Sequence, residues 1–157
     1  MVSNWLQRGE LLLGEEKQVR LKNAHILVVG LGGVGSWAAE MLCRAGTGAL
    51  TLVDADMVDV TNINRQMPAL ANTVGRPKCE VVAERLRMIN PEARLVVKQM
   101  FIEPGNIAQL LDEGAFDFVV DAIDTIEPKC ALIRGCWERG IKIISSMGAG
   151  AKRELAD

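Results

Sequence analysis

The chain has 157 residues, 49% of them apolar and 24% charged, a length and balance that suit one domain with its own core and exclude extensive disorder. A net charge of −2 and a pI near 5.5 argue against this segment alone being a strong nucleic-acid binder. No apolar run approaches the roughly 20 residues that span a bilayer, and the first residues lack the basic start and unbroken apolar centre of a signal peptide.

Residues 5–22 alternate apolar and charged groups at helical spacing, which predicts one or two short helices within an N-terminal segment, residues 1–24. Residues 26–30 form the first predicted strand, apolar throughout, as a strand covered on both faces must be. A helix is predicted over 34–45, with Trp37, Met41 and Ala45 recurring every fourth residue to face the sheet and Gly46 and Gly48 ending it. Residues 49–53 read as the second strand. Residues 58–76, rich in Asn, Thr, Pro and Gly, read as a long loop, and a loop of that length is more often functional than idle. Helical spacing returns over 77–89 and stops at Asn90-Pro91. Then come a strand at 94–100, a short helix at 106–111, a strand at 116–122, a helix at 128–139 and a strand at 141–145. Strands alternating with helices predict an α/β domain over 25–157. It is a Rossmann-like, doubly wound, mostly parallel sheet with helices on both faces. An open parallel sheet ordinarily continues past a last strand, so the run Gly148-Ala149-Gly150-Ala151-Lys152-Arg153 is read as a truncated end.

The most informative stretch is the first strand, its glycines and the strand after them. Gly30-x-Gly32-Gly33-x-Gly35 opens a helix, and Asp54, about 20 residues further on, ends the next strand, where a carboxylate accepts ribose hydroxyls. Glycines let the backbone approach phosphate, and the helix start offers free N–H groups and a partial positive charge. This pattern alone leads to an NAD-dependent oxidoreductase. Three further features do not belong to hydride transfer. Asp54-x-Asp56 is followed by Asn62-x-Asn64-Arg65-Gln66. Gly75-Arg76-Pro77-Lys78 puts a lysine at a helix start. Asp121 and Asp124 end the fourth strand, at the edge over the ligand crevice. Two cations and a carboxylate able to hold magnesium are what phosphoryl or nucleotidyl transfer demands. Singly, Arg65 reads equally well as a solvated charge, Lys78 as a helix-surface lysine, and either aspartate as a helix cap. Their joint placement on three strand-end loops favours a site.

Cys43, Cys79, Cys130 and Cys136 form no Cys-x-x-Cys pair and read as buried, reduced thiols of a cytoplasmic protein. His25 has no metal-ligand partner in the pattern and reads as a structural or surface residue, Trp37 as core, and Trp5 with Leu11, Leu12 and Leu13 as packing against the domain or a partner subunit.

On these residues the chain resembles the ThiF/MoeB/HesA superfamily of ubiquitin-activating-enzyme-like adenylating proteins. The shared features are Gly30-Leu31-Gly32-Gly33-Val34-Gly35, Asp54-x-Asp56, Asn62-x-Asn64-Arg65-Gln66, Gly75-x-x-Lys78 and Asp121-x-x-Asp124, in family order. Ser36-Trp37-Ala38-Ala39-Glu40, Asn90-Pro91-Glu92 and Ser145-Ser146-Met147-Gly148-Ala149-Gly150 look like its tRNA threonylcarbamoyladenosine dehydratase branch. The resemblance implies ATP-dependent activation of a carboxylate through an acyl-adenylate, with ATP and Mg2+ as cofactors. The glycine turn would hold phosphates and Asp54 the ribose. Asn62 and Arg65, with Gln66 nearby, would contact phosphate, Lys78 would steady the phosphate chain, and Asp124 would hold the metal. Asp56, Asn64 and Asp121 complete the implied nucleotide-binding set. It further implies a homodimer in which Arg8 reaches the ATP of the neighbouring subunit, and a tRNA substrate. A sulfur-carrier adenylyltransferase of thiamine or molybdopterin synthesis, with a carrier-protein partner, is the alternative within the superfamily.

Overall fold

The computed structural model describes residues 5–148. Two short helices, α1 (Gln7–Leu13) and α2 (Glu15–Asn23), precede β1 (His25–Val29), α3 (Gly35–Arg44) and β2 (Ala49–Val53). After a single 3-10 turn at Val60–Asn62 come α4 (Lys78–Ile89), β3 (Arg94–Lys98), α5 (Ile107–Asp112), β4 (Phe118–Asp121), α6 (Ile126–Glu138) and β5 (Lys142–Ser145). The strands lie in the order β3-β2-β1-β4-β5, and every pairing is parallel. The predicted elements are all present, with ends that differ by one or two residues, and the sheet is the doubly wound one expected.

Successive residues of β1 serve opposite layers, as strand alternation requires. Ile26 and Val28 pack with Leu50, Leu52 and α4 residues such as Val82 and Leu86. Leu27 and Val29 pack with Val119 and with Leu110 of α5 and Leu132 of α6. Thus α3 and α4 cover one face and α5 and α6 the other. The reversal of strand order falls between β1 and β4, so the crevice over their carboxyl ends is where a ligand belongs.

The predicted inward stripe of α3 is rotated. Ser36, Ala39, Glu40 and Cys43 are buried, whereas Trp37 is 45% and Met41 53% exposed. Gly35 sets this rotation. A Cβ there would lie 1.7 Å from the Gly30 carbonyl oxygen, so the helix backbone itself meets the turn, and positions 39 and 43 follow onto the same face. Gly46, at φ +92°, ends the helix as expected. Of the four cysteines expected to be buried, Cys130 is exposed, because α6 turns Leu132 and Cys136 inward instead. His25 is structural, at the far end of the sheet: its Nε2 lies 2.8 Å from Thr51 Oγ1 and its ring 4.7 Å from that of Phe116.

On the α3 side, Phe118, Val120 and Ile144 of β4 and β5 line an apolar groove of about 1050 Å³ together with Val34, Ala38 and Met41. Among the described residues no helix is long and apolar enough to cross a membrane. Residues 1–4 of the N-terminal segment, and Ala149, Gly150, Ala151, Lys152 and Arg153 of the last motif, lie outside the described residues.

Candidate nucleotide site

A cavity of about 840 Å³ opens over the carboxyl ends of β1, β2 and β4. Its floor is the glycine turn. Gly30, at φ +88°, takes a conformation that side chains rarely adopt, and a Cβ there would lie 2.7 Å from the Ala122 carbonyl. Gly32 and Gly33 face the cavity with open backbone, since a Cβ on either meets nothing closer than 3.5 Å.

Asp54 at the end of β2 is locked to this turn. Its Oδ2 accepts from Leu31 N at 2.7 Å and its Oδ1 from Asp56 N at 2.7 Å. Burial pushes its pKa above the ordinary carboxylate value, against the pull of those two N–H groups and of Lys78.

The long loop is closed at its base and carries function at its tip. Val58 N donates to Arg76 O at 2.8 Å, Gly75 N to Val58 O at 2.8 Å, and Met57 bridges Pro77. This closure brings Lys78, the first residue of α4, against Asp56. Lys78 N donates to Asp56 O at 2.9 Å and its Nζ lies 3.0 Å from Asp56 Oδ2. Asp59 caps the 3-10 turn by accepting from Thr61 N at 2.8 Å, and Asn62 Oδ1 accepts from Asp59 N at 3.0 Å. Arg65 follows, braced by Thr61 O at 3.1 Å and Asn64 Oδ1 at 2.9 Å. Among the described residues no carboxylate pairs with Arg65, so its exposed charge stays free on the cavity wall.

The opposite wall comes from the segment after β4. Asp124 is exposed, with Thr125 Oγ1 3.3 Å from its Oδ1. Residues 146–148 form the lip beside it.

Gly30, Gly32, Gly33, Asp54, Asp56, Asn62, Arg65, Gln66, Lys78 and Asp124 therefore line one cavity. Four other expected residues do not. Gly35 packs the helix start against Gly30, and Asn64 braces Arg65 from outside. Asp121 lies fully buried beneath the wall, paired with Lys129. Arg8 is exposed on α1 and away from this chain's cavity. Met100, Phe101 and Ile102 add an apolar wall that motif reading missed. The signal was an apolar triplet just past the third strand.

Two observations fit a nucleotide. The Gln66 amide nitrogen, which a Cβ on Gly32 would meet at 3.5 Å, offers N–H donors beside the bare backbone of that glycine. The charges also fit, with cations on one wall and a carboxylate on the other. No three acidic, His or Cys side chains cluster among the described residues, so a metal here would take one carboxylate and complete its shell from phosphate and water, the habit of magnesium.

The sequence pattern of the ThiF family matches residues 6–155, nearly the whole chain. The chain belongs to the ThiF family. Among relatives of this ThiF-family domain, the tRNA threonylcarbamoyladenosine dehydratase of Escherichia coli K12 is 51% identical over 151 residues, 94% of this chain and 56% of that protein. The dehydratase of Bacillus subtilis 168 is 47% identical over 147 residues, again 94% of this chain and 58% of the relative. The solved structure of the Escherichia coli dehydratase in complex with ATP matches with a TM-score of 0.92 at 46% identity, covering 99% of this chain and 65% of that one. The ThiF-family domain described here thus spans little more than half the length of these two dehydratases.

Proposed function

We propose that this chain is the ATP-binding part of an enzyme that activates a carboxylate by adenylation, its substrate being threonylcarbamoyladenosine in tRNA. The observation that carries the reading is the meeting of Arg65, Lys78, Asp124 and Asp54 around the open backbone of Gly32 and Gly33. The dehydratases among its relatives favour the tRNA substrate over a carrier protein.

In this reading Asp54 accepts the ribose hydroxyls, and Met100, Phe101 and Ile102 supply an apolar wall for the base. The N–H groups of the turn and the start of α3 take the phosphates. An oxygen of the substrate carboxylate attacks the α-phosphorus, the bond to the bridging oxygen breaks, and pyrophosphate leaves. A nucleophile of the same modification then attacks the activated carbonyl. The ring closes, AMP departs with the former carboxylate oxygen, and water is formally lost. Arg65 and Lys78, held in place beforehand, offset the charge that gathers on the α-phosphate oxygens and the leaving group. Bound at Asp124, magnesium would neutralise charge shared between phosphate oxygens.

Leu11 and Leu12, both more than 80% exposed on α1, suit burial against a second copy, with Arg8 reaching that copy's cavity. Mixing Arg8→Ala with Asp124→Ala subunits should then restore part of the activity, and no restoration overturns the shared site.

The decisive experiment gives full-length protein ATP–Mg and threonylcarbamoylated tRNA, with mass spectrometry of the nucleoside. The expected product has lost one water. An unchanged nucleoside, with NADH but not ATP–Mg raising Tm, would overturn the proposal.

A further inference from the structure

Lys129 of α6 carries a charge that is 7% exposed and outside the cavity wall. Its Nζ lies 2.8 Å from Asp121 Oδ2, 2.8 Å from Ser146 O and 3.3 Å from Ser145 Oγ. Those contacts can use all three of its N–H donors. Asp121, fully buried, is equally committed. Its Oδ2 also accepts from Ser145 Oγ at 2.5 Å, its Oδ1 from Ile123 N at 3.0 Å, and its carbonyl from Ser146 N at 2.8 Å.

A buried ion pair is weak as a stabilising device, because desolvation offsets most of the Coulomb attraction and an apolar pair of similar size often serves as well. What this pair does that an apolar pair cannot is bind three elements at named atoms. It joins the end of β4, the exit of β5 and the first turns of α6. The two segments that leave this knot are the walls of the nucleotide cavity: Ala122, Ile123, Asp124 and Thr125 on one side, Ser146, Met147 and Gly148 on the other. Pro128, adjacent to Lys129, lines the cavity between them.

We propose that Lys129 is a positioning residue for adenylation, its buried ammonium fixing the spacing between the Asp124 segment and the 146–148 lip. This rests on the adenylation reading above. The glycine turn and Asp54 follow β1 and β2, outside the knot, so ATP affinity depends little on it. The chemical step, which needs Asp124 in register with the phosphates, depends on it strongly.

The test uses full-length protein with Lys129→Met, Lys129→Arg and Ser145→Ala, reading Tm, Kd for ATP–Mg, kcat for ring closure, and amide exchange. A displacement of about 1 Å costs on the order of 100-fold in rate, so Lys129→Met should lower kcat about 10-fold to 100-fold while Kd stays within about threefold. Lys129→Arg should recover part of the loss. Ser145→Ala keeps the ion pair and therefore the fold. It should lower kcat less and speed exchange at Ser146 N. Unchanged kcat in Lys129→Met overturns the proposal, as does a loss of kcat and Kd in step with Tm. Should Lys129→Met not fold, unchanged kcat and Ser146 exchange in Ser145→Ala overturn it. A parent enzyme that neither binds ATP–Mg nor closes the ring removes the adenylation reading itself. An active parent with unaltered variants removes only the role of Lys129.

Discussion

Lys78 Nζ lies 3.0 Å from Asp56 Oδ2, and the two side chains differ sharply in exposure, 6% for the lysine and 63% for the aspartate. A nearly buried ammonium thus has a carboxylate partner that stands mostly in water. The pairing is reinforced by Lys78 N donating to Asp56 O, which holds the start of α4 against the end of β2 whatever the side chains do. A phosphate entering the cavity meets a lysine already neutralised and must share it with Asp56.

Asp56→Asn tests that competition. The variant strips the buried ammonium of its charged partner. With allowance for the exposure of Asp56, this costs about 1 kcal/mol, or roughly 2–4 °C in Tm. Phosphate then becomes the partner, so ATP–Mg should raise the Tm of the variant more than that of the parent. Equal ligand-induced shifts in a thermal titration would show that Lys78 does not meet phosphate.

Among the described residues the Arg65 guanidinium is braced only by neutral oxygens, Thr61 O and Asn64 Oδ1. No carboxylate must be displaced before it stabilises charge in the transition state. By analogy with loss of one preorganised oxyanion donor, Arg65→Ala should lower kcat on the order of 100-fold to 1000-fold with little change in Tm. Turnover near the parent rate would remove Arg65 from the reaction.

The glycines separate packing from binding. A Cβ at Gly35 falls 1.7 Å from the Gly30 carbonyl oxygen, whereas one at Gly33 comes no closer than 3.8 Å to Arg65. Gly35→Ala forces the α3 backbone off the turn and should cost about 3 kcal/mol, roughly 6–12 °C in Tm. Gly33→Ala adds a methyl to the cavity floor, so Tm should hold while ATP affinity falls. Comparable Tm losses in the two variants would contradict this division.

Most of the fold was legible because its signals are local. Apolar runs such as Ile26-Leu27-Val28-Val29, and breakers such as Asn90-Pro91 and Gly46, mark strands and helix ends without reference to tertiary structure. The rotation of α3 was not legible. Trp37 and Met41 satisfy the helical period, but which face turns inward is decided by the backbone contact between Gly35 and Gly30, which hydrophobicity does not encode. The same limit applied to the site. Motif spacing singled out Arg65, Lys78 and Asp124, because each is a charged residue in a segment that follows a strand: Arg65 in the long loop after β2, Lys78 where that loop enters α4, and Asp124 after β4. It placed Asp121 beside Asp124, though strand alternation turns Asp121 into the layer under α6. Lys129 escaped notice altogether, since a lysine on a helix is ordinarily solvated and only the fold puts it over a buried carboxylate.

Glu40 lets acid stability be predicted. Its side chain is 3% exposed, with Arg85 Nε 2.6 Å from Oε2 and Arg44 Nη2 2.8 Å from Oε1. The hydrogen bond from Arg85 holds its carboxyl below the ordinary value of 4.5, with burial opposing and Arg44 assisting. A carboxyl depressed in the folded state is protonated first in the unfolded one. Its contribution is therefore complete above pH 4.5 and is lost as pH falls through the folded pKa. Glu40→Gln removes the charge but keeps the shape. It should cost about 1–3 kcal/mol at neutral pH. Below pH 4.5 the curve of Tm against pH should be shallower for the variant than for the parent. Parallel curves for the two proteins across that range would mean that Glu40 does not link α3 to α4 through charge.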